Sequence, residues 1–258
     1  MSNVGALPTA SNAASRPAGA VALERLVRVP GEAIADSLHL IEEALAPQRR
    51  VVREGDAVYR VGEAFGNLYV LNSGYCKIVN LTADGREQVV ALKFRGDWLG
   101  FDGIADQQYT CDAVAIDTGE VWVIPYQALL TVCAARPALL TVIHEAMSRE
   151  IASDRESLMS VCTLTAEARV ADFLRYWAES IARRGMRTDQ ITLRMSRAEM
   201  GNYLGMTLET VSRSLSRLAR EQLIQFAEKG RRDIRIPCVE ALECFVARSL
   251  SPATRVLQ

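Results

Sequence analysis

The sequence predicts an α+β fold in which an antiparallel β-roll is followed by one long helix and a winged helix-turn-helix. Three observations carry this prediction. Glycines at 55, 62, 74, 85, 96 and 119 separate short β-branched runs between Arg50 and Pro125. An apolar stripe at three- and four-residue steps then runs from Leu140 to Val161 with no Gly or Pro inside it. Last, "EMGNYLGMTLETVSRSLSRL" (Glu199–Leu218) reads as two short helices joined at a glycine.

In chain order, residues 1–30 open with small and polar residues that lack periodicity, and a disordered tail is expected. Ile34, Leu38, Ile41 and Leu45 repeat at helical steps, which predicts a helix from Gly31. The roll is expected over 31–136. Its strands are "LYVLNSGYCKIVNL", "TADGREQVVALKF" and "CDAVAIDTGEVWVIP", with turn signals about every ten residues. "ADGRE" is a hairpin turn.

Residues 137–164 are expected to form a dimerisation helix. The stripe Leu140, Ile143 (or Val142), Met147, Ile151, Asp154, Leu158 and Val161 is longer than packing against the roll requires, and coiled-coil-like pairing with a second copy buries it. Asp154 stands at an apolar place in that stripe. A two-fold axis brings two such carboxylates together, and like charges in a partly dry seam weaken the dimer or raise one pKa. The alternative is a stripe rotated so that Asp154 reaches water.

Residues 165–258 are expected to be the winged helix-turn-helix. Ser196 and Glu199 have capping-box spacing and start a helix at Arg197. Gly205 ends it in a left-handed turn, and Thr207 caps the next helix. Val211, Leu215 and Leu218 face inward, while Glu209, Ser212, Arg213, Ser216 and Arg217 face outward. In a major groove Arg213 suits guanine O6/N7 and Glu209 suits cytosine N4. The hairpin "LIQFAEKGRRDIRIP" makes a wing, with Arg231 and Arg232 on phosphates. Arg197 and Thr207 complete the expected DNA-facing set.

The chain has a net charge of −1, but Ser196–Arg235 holds eight basic against five acidic residues, a local excess that suits an anionic partner. The six cysteines are scattered without a CxxC pair, which excludes a zinc ribbon and a disulfide scaffold. Neither of the two histidines lies at metal-ligand spacing, so no metal site is expected. No signal peptide and no apolar run of about 18 residues is present, giving a cytoplasmic, membrane-free expectation. No nucleophile–base or paired-carboxylate arrangement points to an enzyme.

The order of parts, with "GDWLGFDGI", "EVWVIP" and "MSRAEMGNYLGMTLETVSRSLSRL", resembles the CRP/FNR family of bacterial transcription regulators, and the FNR branch most. The resemblance runs from Gly31 to Ala247. It implies a cyclic-nucleotide-binding-like jelly roll and a homodimeric activator that reads a TTGAT-N4-ATCAA palindrome through Glu209, Ser212 and Arg213. It also matches Asp154 to an acidic position in the dimer helix that opposes dimerisation. The turn carrying Thr82, Asp84, Gly85 and Glu87 matches a loop that contacts RNA polymerase.

The departures concern cofactors. The FNR [4Fe–4S] cluster needs four cysteines, but the first 75 residues contain none, and Trp122 stands where the fourth is expected. A CRP-type cAMP pocket needs a Glu and an Arg-Ser/Thr pair. Here Phe101 and Tyr109–Thr110 take those places, so no cation meets a cyclic phosphate. No cofactor is therefore expected. Relatives like the FixK group are set by their abundance, in some cases with a thiol that oxidation inactivates, for which Cys162, Cys76 and Cys111 are the candidates. Haem, with His144 and Cys76 as ligands, and a ligand-switched sensing module are the alternatives.

Overall fold

The structure is a computed structural model that describes residues 30–82, 85–188, 190–227 and 233–250. The expected tail, apart from Pro30, lies outside the described residues, as do Asp84, Arg231 and Arg232.

The chain opens with α1 (Pro30–Leu45) and continues into β1 (Gln48–Val52), β2 (Ala57–Tyr59), β3 (Asn67–Ser73), β4 (Cys76–Leu81), β5 (Glu87–Lys93) and β6 (Trp98–Leu99). A single-turn helix, α2 (Gly103–Asp106), precedes β7 (Asp112–Ala115) and β8 (Gly119–Pro125). The strands form two antiparallel sheets with the orders β1-β8-β3-β6 and β2-β7-β4-β5. Alternation along each strand decides what it buries. Tyr69, Leu71 and Val121 point between the sheets with Cys76, Ile78 and Ala113. Their neighbours Leu68, Val70, Trp122 and Ile124 point the other way.

That outer face is covered by α1, α3 (Tyr126–Ala135) and the first turns of α4 (Pro137–Thr163), through Leu38, Ile41, Leu129, Leu139 and Ile143. The outer face of the second sheet is covered by the C-terminal half. Val79, Val89, Leu92, Phe94 and Ile116 share one core with Phe173, Leu174 and Trp177 of α5 (Ala166–Ala182). The indole of Trp177 stacks on Tyr75 and meets Phe94 edge-on, so the roll and the C-terminal half have a common interior.

After α5 come β9 (Gln190–Thr192), α6 (Arg197–Leu204), α7 (Leu208–Arg220), β10 (Gln225–Phe226), β11 (Asp233–Arg235) and α8 (Val239–Leu250). The three strands form a small antiparallel sheet, β10-β11-β9. No described helix is long and apolar enough to cross a membrane.

Candidate nucleic-acid interface

The α6–α7 pair is built by local chemistry. The Ser196 hydroxyl accepts from Glu199 N at 3.2 Å, and the Glu199 carboxylate accepts from Ser196 N at 2.9 Å, so the capping box is complete. Gly205 closes α6 at φ +64°, in the left-handed region that a side chain resists. A Cβ on Gly201 lies 2.6 Å from Met206 O, which leaves room only for glycine where the two helices cross. Thr207 then caps α7 by accepting from Thr210 N at 3.2 Å.

The two faces of α7 divide cleanly. Val211, Leu215 and Leu218 are fully buried in the shared core. Glu209, Arg213, Ser216 and Arg217 are exposed, and Ser212 is half-buried beside them. Arg197 reaches across from α6, its Nη1 donating to Ser212 Oγ at 3.1 Å, while its guanidinium lies over the Phe226 ring. Arg213 Nη2 donates to Thr210 Oγ1 at 3.4 Å. Arg217 bridges Glu221 at 3.0 Å and Glu167 at 3.3 Å, so its charge is partly spent inside the protein. The backbone at the start of α7, then the Thr207 hydroxyl, and then Arg213 hold the Glu209 carboxyl below the usual range. An ionised, acceptor-only carboxylate beside a guanidinium offers both halves of a base-reading code. The wing strands pair Phe226 with Ile234, and the tip holding Arg231 and Arg232 lies outside the described residues.

Along α4 the expected stripe separates. Ile143 is buried against its own roll, and Met147 packs partly on the same cluster. Ile143 is therefore a core residue of its own chain rather than part of a seam. Ile151 (50% exposed), Leu158 (64%) and Val161 (44%) stand in the open with Asp154 between them. Thr82, Gly85 and Glu87 lie exposed at the β4–β5 hairpin, where Thr82 N donates to Arg86 O at 2.9 Å.

Inside the roll, the segment assigned by resemblance to nucleotide binding is filled by aromatic rings. Tyr109 stacks on Tyr59 at 4.1 Å between centroids, and Tyr69 lies against both. Asp102 accepts from Thr110 N at 2.8 Å, from the Thr110 hydroxyl at 3.1 Å and from the Tyr59 hydroxyl at 3.2 Å. Phe101 stacks on Trp98. A stacked filling with a carboxylate at its rim does not fit a cyclic phosphate.

The cysteines are dispersed. Cys76 and Cys111 lie between the sheets, where burial pushes both thiols up to about 12, away from the thiolate that a metal or oxidant needs. Cys162 is exposed. His144 is exposed on α4 while Cys76 is enclosed in the roll, so the two haem candidates do not make one site. Among the described residues no three His, Cys, Asp or Glu side chains gather as a metal site.

Two side chains that join the helix-turn-helix to the roll carry no signal in the sequence. Lys77 of β4 pairs with the capping-box Glu199 at 2.6 Å, and Asn202 of α6 hydrogen-bonds the backbone of β5. Each joins parts of the chain more than a hundred residues apart, and no local pattern marks them.

Comparison with known proteins agrees with this layout. Residues 168–245 match the Crp-like helix-turn-helix domain and residues 49–136 the cyclic nucleotide-binding domain. The fumarate and nitrate reduction regulatory protein of Vibrio cholerae is 32% identical over 187 residues, covering 72% of this chain and 75% of that protein. The transcriptional activator protein Anr of Pseudomonas protegens is 31% identical over 182 residues, 70% of this chain and 75% of the other. Among solved structures, FixK2 from Bradyrhizobium japonicum superposes with a TM-score of 0.68 at 26% identity, over 77% of this chain and 96% of that one.

Proposed function

The chain belongs to the CRP/FNR family of transcription regulators, and from that premise we propose that it binds an FNR-like TTGAT-N4-ATCAA palindrome as a homodimer without a bound cofactor. The observation that carries this reading is the polarity of α7, which has one face fully buried and the other presenting Glu209, Ser212, Arg213, Ser216 and Arg217. A helix that is capped and glycine-turned onto its partner presents its first turns to a major groove.

The exposed run Ile151–Val161 supports a second copy as the partner of α4, because an apolar stripe of that length otherwise stays in water. The aromatic filling of the roll supports a regulator competent without a cyclic nucleotide. The exposed hairpin at Thr82, Gly85 and Glu87 supports a contact with RNA polymerase. A cytoplasmic location follows from these partners.

The test is a gel shift in air with purified, ligand-free protein on the palindrome and on a scrambled duplex of equal length. The reading expects binding that prefers the palindrome and falls steeply with salt. Equal affinity for both duplexes sinks the base-reading assignment.

A further inference from the structure

The pair α6–α7 is internally rigid, held by the close crossing at Gly201, the Arg197–Ser212 bond and a common core. It is held from two sides: α5 carries it through the shared core, with Arg169 Nη1 donating to Leu204 O at 2.9 Å and Phe173 meeting Tyr203, and β5 holds α6 from the roll. This strand is the edge of its sheet, with outward N–H and C=O groups that need partners. The Asn202 amide supplies them. Val89 N donates to Asn202 Oδ1 at 2.6 Å, and Asn202 Nδ2 donates to Glu87 O at 2.7 Å, as a neighbouring strand's peptide unit does. Gln88 Nε2 donates to the Asn202 carbonyl. One strand inward, Lys77 Nζ pairs with Glu199 at 2.6 Å.

The far end of the same strand holds the other element that matters. Lys93, a buried lysine, meets Glu150 of α4 at 2.7 Å. Direct contact between α4 and the helix-turn-helix is loose by comparison. Leu164 and Thr165 join α4 to α5, Ser157 and Tyr203 hydroxyls lie 3.4 Å apart, and a crevice of about 50 Å³ lined by Ser153, Ser157, Asp172, Tyr176 and Tyr203 separates the rest. β5 thus touches both α4 and the helix-turn-helix, a link between them beside the one that runs through α5.

We propose that β5 acts as a ruler which fixes the distance between the two recognition helices of the dimer, with Asn202 and Lys77 as its positioning residues. This rests on the palindrome-binding reading above and adds the origin of its spacing selectivity. Half-sites read from one face of B-DNA lie about 34–36 Å apart, one turn of about 10–10.5 base pairs, so one inserted or deleted pair both shifts and rotates a half-site. A reading head set at a fixed angle rejects such duplexes, and a head free to swing accepts them.

The experiment uses the full-length protein, Asn202→Ala and Lys77→Met. Affinity is measured on the palindrome, on duplexes with the spacer one base pair shorter and one longer, and on a single half-site. Wild type is expected to prefer the native spacer. Each variant is expected to lose about tenfold of that preference, the equivalent of about 1.4 kcal/mol, with half-site affinity unchanged. Wild-type selectivity shared in full by both variants overturns the ruler alone. So does a proportional loss on every duplex including the half-site, which is what damage to the reading head produces. Wild-type protein that binds none of the duplexes overturns the regulator reading and the ruler with it.

Discussion

Arg197 and Ser212 are joined across the helix-turn-helix, with Nη1 donating to Oγ at 3.1 Å. A cation on the first helix therefore holds the hydroxyl of a residue on the second that is proposed above to face the bases. On the proposed reading Arg197 faces the DNA backbone and α7 the bases, which separates the expected effects of two substitutions. Arg213→Ala removes a bidentate donor and is expected to cost about 1–3 kcal/mol at one guanine position while relaxing the preference there. Arg197→Ala is expected to weaken all sequences alike and reduce the salt slope by about one. Titrations on single-base variants of the site at several salt concentrations distinguish the two. An Arg213→Ala protein with wild-type base preference removes the assignment.

In the proposed dimer the stripe on α4 and its acid pull in opposite directions. Leu158→Glu is expected to leave a monomer, since it adds charge at the most exposed of these apolar residues. Asp154→Ala is expected to strengthen self-association by removing two facing carboxylates. Sedimentation velocity across a dilution series reads both. An Asp154→Ala protein with unchanged association shows that the carboxylate lies off the axis.

Trp177 is the largest of the fully buried side chains and touches Tyr75 and Phe94 of the roll as well as Phe173 of its own helix. Trp177→Ala is expected to cost about 3–5 kcal/mol. It is also expected to split one thermal transition into two, because the ring belongs to both halves. Calorimetry that shows a single, merely lowered transition sets the coupling elsewhere.

The Glu199 carboxyl is held below its ordinary range: burial opposes ionisation, but the Lys77 ammonium and the Ser196 N–H and hydroxyl outweigh it. A lowered folded-state value means that the ionised form stabilises the fold. That contribution is complete above the unfolded value of about 4.3 and is lost as pH falls through the lowered one. Lys77→Met is expected to move the loss to higher pH, as read from stability measured between about pH 6 and about pH 3, which brackets the ordinary carboxylate range. Superimposable profiles rule out the Lys77–Glu199 linkage.

What the sequence made legible is what short spacings encode. Ser196 with Glu199, the left-handed Gly205 and the Thr207 cap are each a few residues of local chemistry, and their consequence for the α6–α7 pair follows directly. Ile143 was misplaced because α4 is apolar on two sides in its first turns. Leu139, Ile143 and Ala146 face the roll, Leu140 and Ile151 face outward, and three- and four-residue steps connect either set. Asn202 carries no sequence signal, since its partners Glu87 and Val89 are set only by tertiary structure. The filling of the roll was half visible: Phe101 and Tyr109 displaced the expected nucleotide contacts, but the stacking of Tyr109 on Tyr59 required the fold.

That stacking has a consequence for the logic of the circuit in which such a protein sits. An effector biases an equilibrium only by the difference in its affinity for two conformations, and the stacked Tyr59 and Tyr109 rings stand where the resemblance puts nucleotide contacts. On the cofactor-free reading proposed above, the input is copy number. Where monomer predominates, dimer rises with the second power of total protein, so promoter occupancy responds more than proportionally to synthesis and decay. In the proposed dimer the threshold of the response then resides in an association constant, which the exposed side chains of α4 adjust.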